Sequence, residues 1–141
     1  MDTLTEMQKA IHEFHKTFNT VHDFIMKKKP EERMSKLDID YDNADQDFYL
    51  RIFTGLTERA AILSRALDYL DKPIRKQGIL MYDYAEGKFK LDGEYILDGI
   101  LLEALINNQW YIVQLQGRSL INVLKRSNMD IEPKGLTVRI R

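Results

Sequence analysis

The chain has 141 residues, 44% of them hydrophobic and 30% charged, which is enough apolar material for one ordinary domain or two small modules. It contains no cysteine, and this excludes disulfide frameworks, thiolate nucleophiles and thiolate-bound metal. Its net charge of -1 excludes a global field directed at nucleic acid or at an acidic membrane.

No apolar run approaches the ~18 residues that a bilayer span requires, and the first residues carry a charged amphipathic pattern instead of a signal peptide. The expectation is a cytoplasmic protein with no membrane association. Charge is less even locally. From Gly99 onward six basic residues stand against three acidic ones, a local positive excess. Between Asp38 and Asp47 there are five aspartates and no basic residue.

The first element is marked by Leu4, Met7, Ile11, Phe14, Phe18, Val21 and Ile25, whose spacing alternates three and four residues without a break. This is the a/d stripe of a heptad pattern. Asp2 or Thr3 is the expected N-cap, Glu6 lies in the first turn, and Lys27, Lys28 and Lys29 precede Pro30. These signals predict a helix over residues 3–28, about 39 Å long. The lysine run is read as compensation of the helix C-terminus, with a nuclear or lipid-binding signal as the alternative.

His12, His15 and His22 are the three histidines, and all lie on this helix, on a polar flank beside the stripe. They are expected to face solvent. A metal site at the His12–His15 spacing has no supporting carboxylate, and no metal is expected. Protonation of this flank below pH ~6.5 is a further way in which a helix partner would be loosened.

Residues 30–44 lose the helical period and read as a polar connector. Within it Asp38, Asp40 and Asp42 match the first, third and fifth ligand positions of a calcium loop. The match ends there, because Asn43 stands where the glycine is needed and Tyr49 where the bidentate glutamate is needed. The reading is a solvated acidic loop that caps the next helix, with an acidic surface for a basic partner, or one imitating phosphates, as the alternative.

A second helix is predicted over residues 45–71, with Tyr49, Ile52, Phe53, Leu56, Ala60, Leu63, Leu67 and Leu70 at helical spacing and Pro73 ending it. Gly55 weakens this helix and is read as allowing close approach of another helix. Neither helix buries its stripe alone, so an antiparallel hairpin over residues 1–75 is expected. Two helices form a thin core. The stripe with Phe14 and Phe18 therefore predicts a coiled-coil-like homodimer or packing on another protein.

From Gly78 the pattern changes to short β-rich runs: 78–84, 88–96, 100–106, 110–116, 117–124 and 136–141. Asn107-Asn108 is a predicted tight turn, and Ala85-Glu86-Gly87-Lys88 a bulged hairpin. Five or six strands in so short a segment predict a small antiparallel barrel over residues 76–141, making the whole chain α+β. By alternation about half of the aromatics here are core, and Trp110 is expected to pack beneath a barrel end.

The runs Gly78-Ile79-Leu80-Met81-Tyr82, Gly87-Lys88-Phe89-Lys90-Leu91, Leu102-Glu103-Ala104-Leu105-Ile106 with Trp110 after a short turn, and Gly135-Leu136-Thr137-Val138-Arg139-Ile140 carry a likeness over residues 76–141. The segment resembles a small uncharacterised domain family of Firmicutes met on plasmids, conjugative elements and phage. The resemblance implies an SH3-like barrel and a mobile genetic element, and brings no function. The stretch between Gly117 and Gly135 departs from it, being longer and more charged than a minimal barrel requires.

No nucleophile with a base, no carboxylate pair and no glycine-rich phosphate loop stands out, so no catalytic residue, cofactor or small-molecule substrate is expected. Both modules are expected to be too small to enclose a pocket of several hundred cubic ångströms. The leading expectation is a non-enzymatic interaction or adaptor protein. Its candidate interface is Phe14, Phe18, Asp38, Asp40 and Asp42. The alternatives are a nucleic-acid-binding accessory protein using Tyr111, with Tyr84 as a second ring, and Arg118, Lys125, Arg126 and Arg139, or an inhibitor of a host nucleic-acid-binding protein.

Overall fold

The computed structural model describes residues 2–26 and 43–141. Helix α1 (Thr3–Met26) and helix α2 (Ala44–Leu70) are followed by nine strands, and every strand pairing is antiparallel, so the fold is α+β. The chain divides into two compact units, Met1–Arg65 and Ala66–Arg141. The C-terminal end of α2 thus belongs with the strands. Among the described residues no helix is long and apolar enough to cross a membrane.

In the first unit both helices begin on a side-chain cap. The Asp2 carboxylate accepts the Thr5 backbone N–H at 2.8 Å, which holds its carboxyl below the usual carboxylate range. Asn43, and not an aspartate, caps α2 by accepting the N–H groups of Asp45 (3.0 Å) and Gln46 (3.3 Å). The aspartates Asp38, Asp40 and Asp42 lie outside the described residues, as do the lysine run and the rest of the connector. Gly55 does not mark a close approach among the described residues. A Cβ placed there would meet nothing within 4 Å.

In the second unit the strands are β1 (Lys76–Ile79), β2 (Met81–Asp83), β3 (Lys88–Leu91), β4 (Glu94–Ile96), β5 (Leu102–Ile106), β6 (Gln109–Gln116), β7 (Ser119–Asn122), β8 (Ser127–Asn128) and β9 (Thr137–Ile140). They form a six-stranded sheet of order β1-β9-β5-β6-β7-β8 and a three-stranded sheet of order β2-β3-β4. One apolar cluster joins the two sheets, built on alternate residues such as Phe89 and Leu91, Leu102 and Ala104, Val113 and Leu115, and Val138 and Ile140.

The strand count exceeds the five or six expected, for three reasons. The run from Gly78 to Tyr84 is interrupted at Leu80, whose N–H donates to Leu136 O and whose carbonyl accepts from Gly135, so the chain passes there from the large sheet to the small one. The run 88–96 folds back on itself at Asp92-Gly93, both at positive φ (49° and 79°). Asp-Gly is a strong signal for a two-residue hairpin, and the alternation on either side of it masks the reversal. The reading of 117–124 as one run is likewise shortened to β7, which ends in a turn before β8.

The Asn107-Asn108 turn is as expected, with φ of 49° and 65° between β5 and β6. Gly87, at φ 65°, serves the β2–β3 hairpin. Gly78 has a packing reason instead. A Cβ there would stand 3.3 Å from Leu91 Cδ1, so the absent side chain lets β1 pass close over the small sheet.

Gly55→Ala and Gly93→Ala are expected to move stability in opposite directions, each by about 1 kcal/mol. The first removes backbone freedom in a helix with open space around the site, and the second places a Cβ in the left-handed region. Urea denaturation of the two variants measures both signs.

Candidate interaction surfaces

The two helices join through polar groups. Ser64 Oγ on α2 donates to Asn19 Oδ1 on α1 at 2.8 Å, and Asn19 Nδ2 in turn lies 3.3 Å from His15 Nε2. With Oδ1 accepting from Ser64, the Asn19 amide bridges the two helices between Ser64 and His15. His15 is 5% exposed, which corrects the expectation that it faces solvent, and beside it on α2 Ala60 and Ser64 are buried. The His22 side chain lies outside the described residues, and His12 is exposed.

The first part of each apolar stripe is exposed. Leu4, Met7, Ile11 and Phe14 on α1 are 41–63% exposed, and Phe48, Tyr49, Ile52, Phe53 and Leu56 on α2 are 45–60% exposed. Phe18 is half-buried, with its ring centroid 5.8 Å from that of Phe14. Tyr49 stacks on Phe53 at 5.9 Å, so both helices present runs of paired rings to solvent. Among the described side chains of this unit the buried ones are His15, Ala60 and Ser64, so of the expected stripes only Ala60 is fully buried.

In the strand unit the dominant polar feature is Glu103, 3% exposed in the middle of the large sheet. It faces Arg139 across the β5–β9 pairing, and the guanidinium binds it through Nε (2.8 Å) and Nη2 (3.2 Å). Arg141 adds Nη2 at 3.3 Å and Nε at 3.4 Å. Arg139 also lies over the Trp110 ring, 4.0 Å from its centroid. Trp110 therefore sits on the outer sheet face with Leu105 and Arg139, and not beneath a barrel end. Tyr69, 5% exposed, completes the knot. Its hydroxyl donates to Arg139 O at 3.4 Å and accepts the Arg141 N–H at 3.3 Å. Burial pushes the Tyr69 phenol up to about 12, with the Glu103 carboxylate adding to the shift.

An open groove of about 450 Å³ runs beside this knot, lined by Leu70, Trp110, Tyr111, Ile112, Leu124 and Lys125 among others. A concavity of that size was not expected from modules this small; its lining combines Leu70 at the end of α2, residues of β6 and the turn after β7.

The basic residues expected to share one face are dispersed. Arg139 is committed to Glu103 and Trp110. Tyr111 packs partly against the apolar core while its hydroxyl donates to Gln109 Oε1 at 2.9 Å. Tyr111 and Lys125 both line the groove, and Arg126 sits in the β7–β8 turn at φ 54°. Arg118 lies elsewhere, over the Tyr82 ring (4.7 Å) and near Tyr84 (6.0 Å). Sequence reasoning passed over Glu103 altogether. Its only signal is a carboxylate at an inner position of an apolar run with two arginines two residues apart at the end of the segment.

A surface cluster at Glu94 closes the other edge. Arg75 binds this carboxylate through two nitrogens (3.1 and 3.3 Å) and Lys76 through Nζ (2.9 Å). These hydrogen bonds, Arg75 first, hold its pKa down to about 2.

No protein-family model matches the chain, and no curated protein or solved structure shows significant similarity to it.

Glu103→Ala is expected to cost about 3 kcal/mol, because two arginines are then left together without their carboxylate; a urea titration that gives under about 1 kcal/mol would contradict this role. Tyr69 predicts an alkaline effect. Between pH about 10 and about 12 the unfolded chain loses this phenolic proton while the folded one keeps it, so stability falls through that window. Tyr69→Phe is expected to flatten that part of the stability–pH curve, as measured by denaturation midpoints at about pH 9 and about pH 11.

Proposed function

We propose that this is a non-enzymatic interaction protein that self-associates through its helices and acts as an adaptor. The observation that carries the reading is the direction of the apolar stripes. The contact between α1 and α2 uses His15, Asn19 and Ser64, and Leu4 to Phe14 of the heptad stripe on α1 and an aromatic face on α2 are open to solvent. Covering such surfaces releases water at roughly 25 cal/mol per Å², and a heptad stripe is shaped to take the side chains of another helix.

A second copy suits the surface in charge as well as shape. The positions flanking the α1 stripe are Gln8, Ala10, His15 and Thr17, so two α1 stripes meet without like-charge repulsion. Paired this way, two helical pairs make the four-helix arrangement that a single pair is too thin to form.

In this reading α1 and α2 are the arms of an antiparallel hairpin, and the two sheets around one apolar cluster form a half-open SH3-like barrel. Such a barrel agrees with the resemblance to the mobile-element domain family of Firmicutes, and with a cytoplasmic protein whose partner is another protein. The acidic stretch with Asp38, Asp40 and Asp42 would add a basic partner to this surface.

Light scattering at a protein concentration of ~100 μM is expected to give a dimer. Ile11→Glu combined with Phe14→Glu places two charges on exposed positions and is expected to return the monomer with the helical signal retained. A strict monomer of the parent chain at that concentration would remove self-association from the reading.

A further inference from the structure

Two arrangements recur among the eleven Lys and Arg side chains of the strand unit, and Lys88, 5.5 Å over the Tyr95 ring, shares the second. Arg75, Lys76, Lys90, Arg139 and Arg141 are each within 4.0 Å of a carboxylate. Arg118 and Lys134 are held on tyrosine rings instead, and among the described residues neither has a carboxylate partner. The guanidinium of Arg118 lies 4.7 Å from the Tyr82 centroid and 6.0 Å from that of Tyr84. Lys134 Nζ lies 5.2 Å from the Tyr84 centroid and donates to its hydroxyl at 3.2 Å.

This difference has a chemical consequence. A ring attracts a cation through its quadrupole without accepting the in-plane N–H groups, so Arg118 keeps its donor fork and Lys134 keeps two of three donors. Both remain able to bind an anion. The rings themselves are anchored. Tyr84 stands edge-on to Tyr82 at 5.0 Å, and Tyr82 stands edge-on at 4.8 Å to Phe89, which is 3% exposed in the core. Tyr84 is nevertheless 65% exposed. An exposed ring set edge-on to Tyr82, beside two cations with no carboxylate partner among the described residues, is a stacking platform flanked by anion donors.

We propose that Tyr84, Arg118 and Lys134 form a binding site for single-stranded nucleic acid, with Tyr84 stacking on an unpaired base and the two cations taking the adjoining phosphates. Anions that repeat beside planar rings match all three residues, whereas an acidic peptide would use the cations and leave Tyr84 without a role. A duplex keeps its base faces stacked inside and offers nothing to the ring. Arg118 and Tyr84 are shared with the face expected from sequence; Tyr111, Lys125, Arg126 and Arg139 lie outside this site. The inference stands on the strand unit alone and is independent of association through the helices.

The test is fluorescence anisotropy of labelled ~12-nucleotide oligo(dT) and oligo(U) with the full chain at ~50 mM salt, where phosphate contacts are strongest. Salt-sensitive binding is expected, weakened about tenfold by Tyr84→Ala and little changed by Tyr84→Phe, which keeps the ring. Arg118→Gln with Lys134→Gln is expected to flatten the dependence of log affinity on log salt by about 1.4, the share of two phosphate contacts on a single strand. Lys125→Gln with Arg126→Gln serves as the control and is expected to bind as the parent does. Circular dichroism confirms that each variant is folded. Absence of binding at that salt, or binding that Tyr84→Ala leaves intact, overturns the proposal. So does capture of a labelled poly-glutamate peptide in preference to the oligonucleotides, which would make the site one for acidic protein.

Discussion

A carboxylate withdrawn from water in the middle of a sheet must be met by positive charge at short range, and Glu103 sets that demand. It is met from the last strand. Arg139 binds it in a bidentate fork across the β5–β9 pairing, and Arg141 approaches from the next outward position. Such a pair contributes little net stability, since desolvation offsets most of the attraction, but a one-residue slip of β9 would turn Arg139 to the opposite face. The register of β9 is therefore strongly specified. Because β9 lies between β1 and β5, the edge strand β1 takes its position from the same contact. Tyr69 extends the constraint to the end of α2 through its hydrogen bonds to the backbone of Arg139 and Arg141.

The two units treat their apolar residues in opposite ways. In the strand unit alternation directs leucine, valine and isoleucine inward from both sheets, and Leu80, Leu91, Leu102 and Leu115 are almost wholly removed from water. The helices hold comparable apolar side chains but meet through an asparagine, a histidine and a serine. A polar contact of that kind gives orientation and little burial. The first part of each apolar stripe, Leu4 to Phe14 on α1 and Phe48 to Leu56 on α2, is left as surface.

Charge follows a similar division. Carboxylates pair five of the eleven Lys and Arg side chains of the strand unit, Arg139 among them, which explains why a count of basic residues along the chain is a poor guide to an anion-binding face. Arg139 is unavailable because Glu103 holds it, while Arg118 and Lys134 keep their donors because tyrosines hold them. Pairing, and not the local excess of positive charge, decides which cations can meet a phosphate.

What the amino-acid sequence determined by itself was the kind and order of the elements. The α+β class, both helices, the Asp2 cap and the Asn107-Asn108 turn follow from chemistry confined to a few neighbouring residues, and so they were legible along the chain. The Asp92-Gly93 reversal was equally local, and its signal was present but hidden inside a continuous alternation. The tertiary structure alone decided which face of each helix is inward and which cations are neutralised. Asn19 finds Ser64 across 45 positions, and Arg139 finds Glu103 across 36. A periodic stripe shows that a face exists without saying what it meets. Only the distant partner settles that, because burial and ion pairing are properties of groups brought together by the fold and not of their spacing along the chain.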